Sequence, residues 1–325
     1  VILKKLIFSI IFFMGLAEVA SALELGKYGT FSFQKVNDNV YVMHGPVTEP
    51  NVENEGFMNN PTIIEGEKGL IVVDPGGNYN VGKKILAEIE KVSKKPILAT
   101  INTHKHGDHW FANKALLEKY PKLKIYAHEQ MIKEVKGGEA RKWYNILDRL
   151  TKNLKGTDNE FPYPNIALHD GDKIEVDGQK FTVFHPQRTH TDTDLVIIHE
   201  NSKTLFLGDN VMKGRFGAFD ASSSVFGNIE LLEKLKKETD YKLYIPGHGI
   251  SGKKDETIDP YLTYLKTVAK WAKKAYDDDL EAYEVKPQAL KELTAYEKWD
   301  GFEYALGRHM MKAYDEVAMM DEDEE

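Results

Sequence analysis

The sequence predicts an α/β (α+β) chain in which two β-sheets are covered by helices. Three observations carry that expectation. Strand-like apolar runs cluster in both halves of the chain, segments with helical apolar spacing separate them, and the runs end repeatedly in Gly-, Asp- or His-bearing loops. A chain of 325 residues with 42% hydrophobic content has enough apolar material for one large or two ordinary domains.

Taken in order, Val40 to His44 reads as a short strand, and Thr62-Ile63-Ile64 and Leu70 to Val73 flank Gly66-Glu67-Lys68-Gly69 as a hairpin. From Val81 the positions Ile85, Leu86, Ile89 and Val92 fall at helical spacing, and Ile97 to Ile101 returns as a buried-strand run. Phe111, Ala115, Leu116 and Tyr120 then predict a helix that ends before Pro121, because the residue preceding a proline is pushed out of helical geometry. In the second half, Ile174 to Val176 and Phe181 to Phe184 surround the turn signal Asp177-Gly178. Leu195 to Ile198 and Thr204 to Leu207 surround Glu200-Asn201-Ser202, and Leu243-Tyr244-Ile245 is a last strand before Pro246-Gly247-His248-Gly249.

Residues 129–168 read as a helical and loop insertion, with Trp143, Tyr144, Leu147 and Leu150 forming an apolar stripe expected to be core. Beyond residue 254 the chain is mostly helical: Tyr261, Leu265, Val268 and Ala272 make one apolar face and Phe302, Leu306, Met310 and Tyr314 another. No repeat at a fixed period is present, and the acidic tail Asp321 to Glu325 is expected to be solvated.

Residues 1–22 differ in kind. Lys4 and Lys5 precede an apolar run from Leu6 to Leu16, and Ala20-Ser21-Ala22 offers the small residues of a cleavage site, the pattern of a secretory signal. The run is shorter than the ~20 apolar residues of a membrane span, so the expectation is an exported, periplasmic product without a stable membrane anchor after cleavage. The net charge of -8 is carried partly by the tail, and with no basic stripe nucleic acid is not an expected partner. The chain contains no cysteine, so disulfides and thiolate ligands are excluded, and any metal would be held by histidine and carboxylate.

Thr103-His104-Lys105-His106-Gly107-Asp108-His109-Trp110 follows the Ile97 to Ile101 strand directly. In an extended turn, His104 and His106 project to the same side and can share one ion, while Asp108 and His109 point differently where the helix begins and suit a second. A catalytic metal takes about three protein ligands, so others must come from elsewhere. Three further strand ends offer them: His190 beyond Phe181 to Phe184, Asp209 after Leu205-Phe206-Leu207-Gly208, and His248 after Ile245-Pro246-Gly247.

The HxHxDH pattern of His104 to His109, followed in order by His190, Asp209 and His248 and preceded by Val72-Val73-Asp74-Pro75-Gly76, resembles the metallo-β-lactamase superfamily over about residues 35–252. The resemblance implies a four-layer αβ/βα metallo-β-lactamase sandwich with a helical C-terminal extension. The corresponding division is a signal peptide over 1–22, the fold domain over 23–254 with its insertion at about 129–168, and the extension over 255–325. Carried over by position, His104, His106 and His190 would hold the first metal, Asp108, His109 and His248 the second, and Asp209 would bridge them. Asp108 would also pass a proton, and Asp74 would orient a ligand. The implied cofactor is two Zn2+ per chain, with iron or manganese as alternatives. His185 is the rival of His190 for its position, whereas His44, His128, His169, His199 and His309 lack such a context.

Two ions about 3.5–4 Å apart lower the pKa of a shared water toward ~7 and polarise a substrate oxygen. The resemblance therefore implies a hydrolase acting on a small molecule through an ester, thioester, lactone or similar bond. Within the superfamily, Gly56-Phe57-Met58-Asn59-Asn60-Pro61, Val73-Asp74-Pro75-Gly76-Gly77 and Thr191-Asp192-Thr193-Asp194-Leu195 are most similar to exported SoxH-like and quinoprotein-associated zinc hydrolases. A mononuclear iron persulfide dioxygenase on the same fold and a β-lactamase are the alternatives; the absence of cysteine excludes the β-lactamases that use a zinc-ligating cysteine. Trp110, Asn59, Asn60, Lys213 and Arg215 are candidate pocket residues, with Lys213 or Arg215 attracting an anionic group. Oligomeric state is not legible.

Overall fold

A computed structural model describes residues 23–157 and 160–322. The expected signal over 1–22 and the end of the acidic tail, 323–325, lie outside the described residues. After a small pair of strands, β1 (Leu23–Glu24) with β2 (Thr30–Phe31), the chain builds two sheets. The first has seven strands in sequence order: β3 (Gln34–Asn37), β4 (Val40–Val42), β5 (Thr62–Glu65), β6 (Leu70–Val73), β7 (Ile97–Ile101), β8 (Lys124–His128) and β9 (Ile166–Leu168). Strands up to β6 pair antiparallel, β3 with β4 and β5 with β6 through tight turns and β4 with β5 across the long loop from Met43 to Pro61. From β6 to β9 pairing is parallel, which requires crossovers. These are α1 (Tyr79–Val92), then α2 (Gly107–Trp110) with α3 (Asn113–Lys119), then α4 (Glu129–Glu134), a π turn and α5 (Ala140–Thr151).

The second sheet orders β10 (Lys173–Val176), β11 (Gln179–Phe184), β12 (Val196–His199), β13 (Thr204–Met212) and β14 (Leu243–His248). Its last pair is parallel, with α6 (Val225–Glu238) as the crossover. The turn between β10 and β11 places both Asp177 (φ 52°) and Gly178 (φ 76°) in the left-handed region, as a two-residue hairpin turn requires.

Side-chain alternation makes the layers. Ile64, Ile71 and Val73 face inward with Ala99 and Ile101 and meet Phe181, Val183, Ile197, Phe206 and Ile245 of the second sheet. Their neighbours Ile63, Leu70 and Val72 face outward, under Val81, Ile85 and Ile89 of α1 and Leu116 of α3. Leu205, Leu207 and Tyr244 on the outer face of the second sheet meet α6 and two long C-terminal helices, α7 (Lys254–Asp277) and α9 (Phe302–Glu322), joined through α8 (Lys286–Glu292). The apolar faces Tyr261, Leu265, Val268, Ala272 and Phe302, Leu306, Met310 lie in this outer core, with Tyr314 partly buried against it. Helix–sheet–sheet–helix is the four-layer arrangement that the sequence resemblance implies.

Three features differ from the sequence-based elements. Lys124–His128, whose apolar residues sit between the polar ends Lys124 and His128, is strand β8, and the segment expected to be helix and loop closes in strand β9. Strand β13 does not stop at Leu207: it runs through Asp209 to Met212, with irregular register around Gly208, whose φ of 53° lies in the left-handed region that side chains rarely adopt and where a Cβ would crowd Thr103 at 3.0 Å.

The C-terminal helix is tied to the second half of the fold by a buried carboxylate. Glu316 on α9 accepts hydrogen bonds from the Val225 and Phe226 amides and the Ser224 hydroxyl at the start of α6. Glu316→Ala leaves those donors without their charged acceptor and is expected to lower unfolding free energy by about 2 kcal/mol, read as a lower urea midpoint. A second prediction concerns acid. Burial lowers the pKa of His199 to about 4, while Ser202 Oγ and Gln179 Oε1 contact its ring nitrogens. The unfolded chain takes up this proton below about pH 6.5 and the native one only near pH 4, so stability is complete above 6.5 and lost across that window. In urea titrations at pH 7.5 and 4.5, His199→Gln should remove on the order of 2 kcal/mol of the acid-induced loss relative to wild type.

Candidate metal centre

All seven residues singled out as ligands converge at one end of the sandwich, where loops leave β7, β11, β13 and β14. Their donor atoms fall into two groups: His104, His106, His190 and Asp209, and Asp108, His109, Asp209 and His248, with the atoms of each group within 4.8 Å of one another. Asp209 belongs to both. His104 and His106 share a group as their alternation in an extended turn predicts; Lys105 between them points the other way, to Glu134, Asp192 and the Ser222 hydroxyl.

The groups fit metal ions on three counts. Around a tetrahedral ion with bonds of about 2.0–2.1 Å, neighbouring donor atoms lie about 3.3 Å apart. In the first group, His190 Nε2 is 3.0 Å from His106 Nδ1 and 3.6 Å from Asp209 Oδ2, with His104 Nε2 3.9 Å from the same oxygen. In the second, His109 Nε2 is 3.1 Å from Asp209 Oδ1 and 3.4 Å from Asp108 Oδ2, and His248 Nε2 is 3.4 Å from Asp108 Oδ2 and 3.3 Å from Asp209 Oδ2. Secondly, His104 Nε2, His109 Nε2 and Asp209 Oδ1 are buried without a hydrogen-bond partner, each an unmet cost of about 1–3 kcal/mol. Thirdly, the outward nitrogens of three of the five histidines are engaged. His109 Nδ1 contacts Asp74 Oδ2 at 2.9 Å, His248 Nδ1 contacts the Met58 carbonyl at 2.7 Å, and His104 Nδ1 lies 3.0 Å from Thr103 Oγ1, which donates to Asp74 Oδ2. Donation outward fixes the tautomers that leave Nε2 free to face the centre.

Charge follows the same pattern. Burial opposes the charges on Asp108 and Asp209, yet the neighbouring imidazoles of His109 and His248 hold both carboxyls well below the usual range. His104 is pushed well below its ordinary value by burial and by His109 beside it. Local backbone aims the carboxylates. The bulge at Gly208 sets Asp209, and a Cβ at Gly247 would overlap the Asp209 carboxylate, so only glycine fits there. Asn60 Nδ2 donates to the carbonyls of Pro246 and Gly249 and pins the His248 loop, and Asn59 Nδ2 donates to the Asp74 carbonyl.

A cavity of about 690 Å³ opens over the centre, lined at its base by His106, Asp108, His190 and Asp209. Arg215 lines it, buried, with its guanidinium 2.8 Å from Glu49 Oε1 and within 3.5 Å of the His248 ring. The other pocket candidates lie elsewhere. Lys213 turns to the Ile250 carbonyl, Trp110 is fully buried with its indole donating to the Lys105 carbonyl, and Asn59 and Asn60 hold backbone. His185, the rival of His190, stacks on His128 at 3.8 Å and contacts the Asp194 carbonyl instead. Of the expected core stripe, Tyr144 and Leu147 are core and Trp143 packs partly buried against them, but Trp143 also lies 4.4 Å from the His106 ring and lines the cavity with Ile146, Leu147 and Leu150. Helical spacing identified that face but not what it faces. Asp220, Tyr304 and His309 also line the cavity, and no sequence signal connected them with the motif residues.

Residues 54–248 match the metallo-beta-lactamase superfamily, and the chain belongs to that family. A hydroxyacylglutathione hydrolase from Francisella tularensis subsp. novicida is 26% identical over 197 residues, 60% of this chain and 64% of that protein. The chain thus spans just under two thirds of the length of this relative. A probable metallo-hydrolase from Methanocaldococcus jannaschii is 28% identical over 61% of this chain and 90% of its own length, and a linear primary-alkylsulfatase from Pseudomonas sp. is 40% identical over 77 residues, 22% of this chain and 15% of that one. Among solved structures, the sec-alkylsulfatase Pisa1 from Pseudomonas sp. superposes with a TM-score of 0.67 at 16% identity, over 88% of this chain and half of its own. A metallo-beta-lactamase from Pontibacter korlensis gives 0.55 at 18% identity, over 73% and 99%. At these identities the structures share the fold.

Asp74 touches two of the supports at once. Asp74→Ala is expected to weaken metal affinity by about 10–100-fold, measured by competition with a chromophoric chelator; unchanged affinity would remove it from the support of His109.

Proposed function

We propose that the protein is an exported hydrolase with a binuclear metal centre, acting on an ester, thioester, lactone or similar bond of a small molecule. The observation that carries this reading is the single buried carboxylate, Asp209, shared by two groups of imidazoles, with His104 Nε2, His109 Nε2 and its own Oδ1 buried without a hydrogen-bond partner. His104, His106 and His190 would hold one ion, Asp108, His109 and His248 the other, and Asp209 both. Zinc suits a set of five histidines and two carboxylates, with iron and manganese as the competing ions. When bound, such a pair supplies Lewis acidity and a nucleophilic water at neutral pH.

The chain's own groups do the rest. Arg215, buried beside His248, is placed to meet negative charge on the substrate. Asp108 lines the cavity, and its Oδ2 is the oxygen within reach of both His109 and His248, the atom at which a proton is taken or passed. Trp143 packs on His106 and shields it from water. The names of the relatives put acylated glutathione and alkyl sulfates among the first bonds to assay.

Export rests on Lys4, Lys5, the apolar run Leu6 to Leu16 and Ala20-Ser21-Ala22. No helix among the described residues is long and apolar enough to cross a membrane.

Elemental analysis with hydrolysis assays on thioester, lactone, β-lactam, sulfate-ester and phosphodiester reporters tests the proposal. About two zinc ions per chain with turnover of one class is expected. One iron with oxygen uptake on a persulfide and no hydrolysis would overturn it. Asp209→Ala should reduce the metal content to about one ion or fewer, and an unaltered two-ion stoichiometry would defeat the shared-carboxylate assignment.

A further inference from the structure

The cavity over the centre has two chemically distinct ends. At the base stand the metal-capable groups and Arg215, 3% exposed, whose Nε has no hydrogen-bond partner. Outward from Trp143, whose ring lies against His106, the residues Trp143, Ile146, Leu147 and Leu150 occupy positions i, i+3, i+4 and i+7 of α5, one helix face, and line the cavity together with Phe216 and with Tyr304 of α9. Leu150 and Tyr304 are 36% and 71% exposed, so the apolar wall continues to the surface. Lys142 and Arg149 of α5 and Arg308 of α9 also line the cavity, but amides laid on the apolar face itself would lose water without regaining hydrogen bonds, whereas a hydrocarbon gains from the same contact.

We propose that the substrate is an amphiphile: an oxygen-rich anionic or ester head at the centre beside Arg215, and an apolar alkyl or acyl tail in the slot between α5 and α9. This deepens the hydrolase reading and rests on its placement of the reactive head. Each methylene that the slot removes from water strengthens binding about fourfold, so chain length is the sensitive variable.

The test uses linear alkylsulfonates, which carry an anionic head and no hydrolysable ester, titrated calorimetrically into the metal-loaded protein below their micellar concentrations. Affinity should rise at least ~10-fold from butylsulfonate to octylsulfonate, a conservative share of four methylenes. Leu150→Asp and Tyr304→Asp, both at exposed positions where charge is compatible with folding, should each cut that chain-length ratio severalfold. Equal affinity across the series, or a length dependence that neither variant alters, would overturn the slot. A parallel kcat/KM series on p-nitrophenyl butyrate, octanoate and decanoate separates the two readings. Length-dependent sulfonate binding that both variants weaken, with no turnover of any ester or sulfate ester, supports the slot and overturns the hydrolase reading. Turnover that falls as the tail lengthens overturns the slot and leaves the hydrolase reading standing.

Discussion

The Asp209 carboxylate is the constraint around which the molecule is arranged. It is buried, it is ionised against the cost of burial, and it stands between two sets of imidazoles at 3.1 to 3.9 Å, spacings suited to donor atoms around shared metals. Cations relieve this arrangement, since they supply the positive charge that burial otherwise denies the carboxylates. The backbone has been shaped to permit it. Gly208 supplies the bulge, and Gly247 on the neighbouring parallel strand leaves the space in which the carboxylate sits.

Rigidity of the inward groups comes from groups that face outward. Asp74 serves both the Thr103–His104 side and His109, so one carboxylate couples the orientation of ligands in both groups. Lys105 gives the same loop a second anchor: its buried ammonium reaches Glu134 on α4 and Asp192 beside the His190 loop. The ligands are thus supported from both sheets and from the segment that forms the cavity wall, which is how a loop-borne site keeps its geometry.

Much of this was legible before the fold was known, and the reason is physical. Ligand chemistry restricts residue type severely, so His104 to His109, His190, Asp209 and His248 stand out at strand ends whatever surrounds them. Helical spacing likewise exposed the faces of α7 and α9. What escaped was relational. The stripe of Trp143 and Leu150 has the periodicity of a core face, and nothing in periodicity distinguishes packing against protein from lining a cavity. Lys213 and Arg215 look equivalent in sequence two residues apart, yet the first turns to the Ile250 carbonyl and the second lies buried at the centre. Strand β8 was hidden by the polar residues Lys124 and His128 at its ends, and β9 by its place after a long helical segment.

The position of α9 carries a consequence for how the molecule is made. The ligands span residues 104–248, whereas the helix that closes one side of the cavity begins at Phe302. In synthesis from the N-terminus, the whole donor set exists before that wall has been translated. Capture of Val225 and Phe226 by Glu316 comes later still. The order in which the chain is made therefore puts the ligands ahead of the wall that narrows the approach to them.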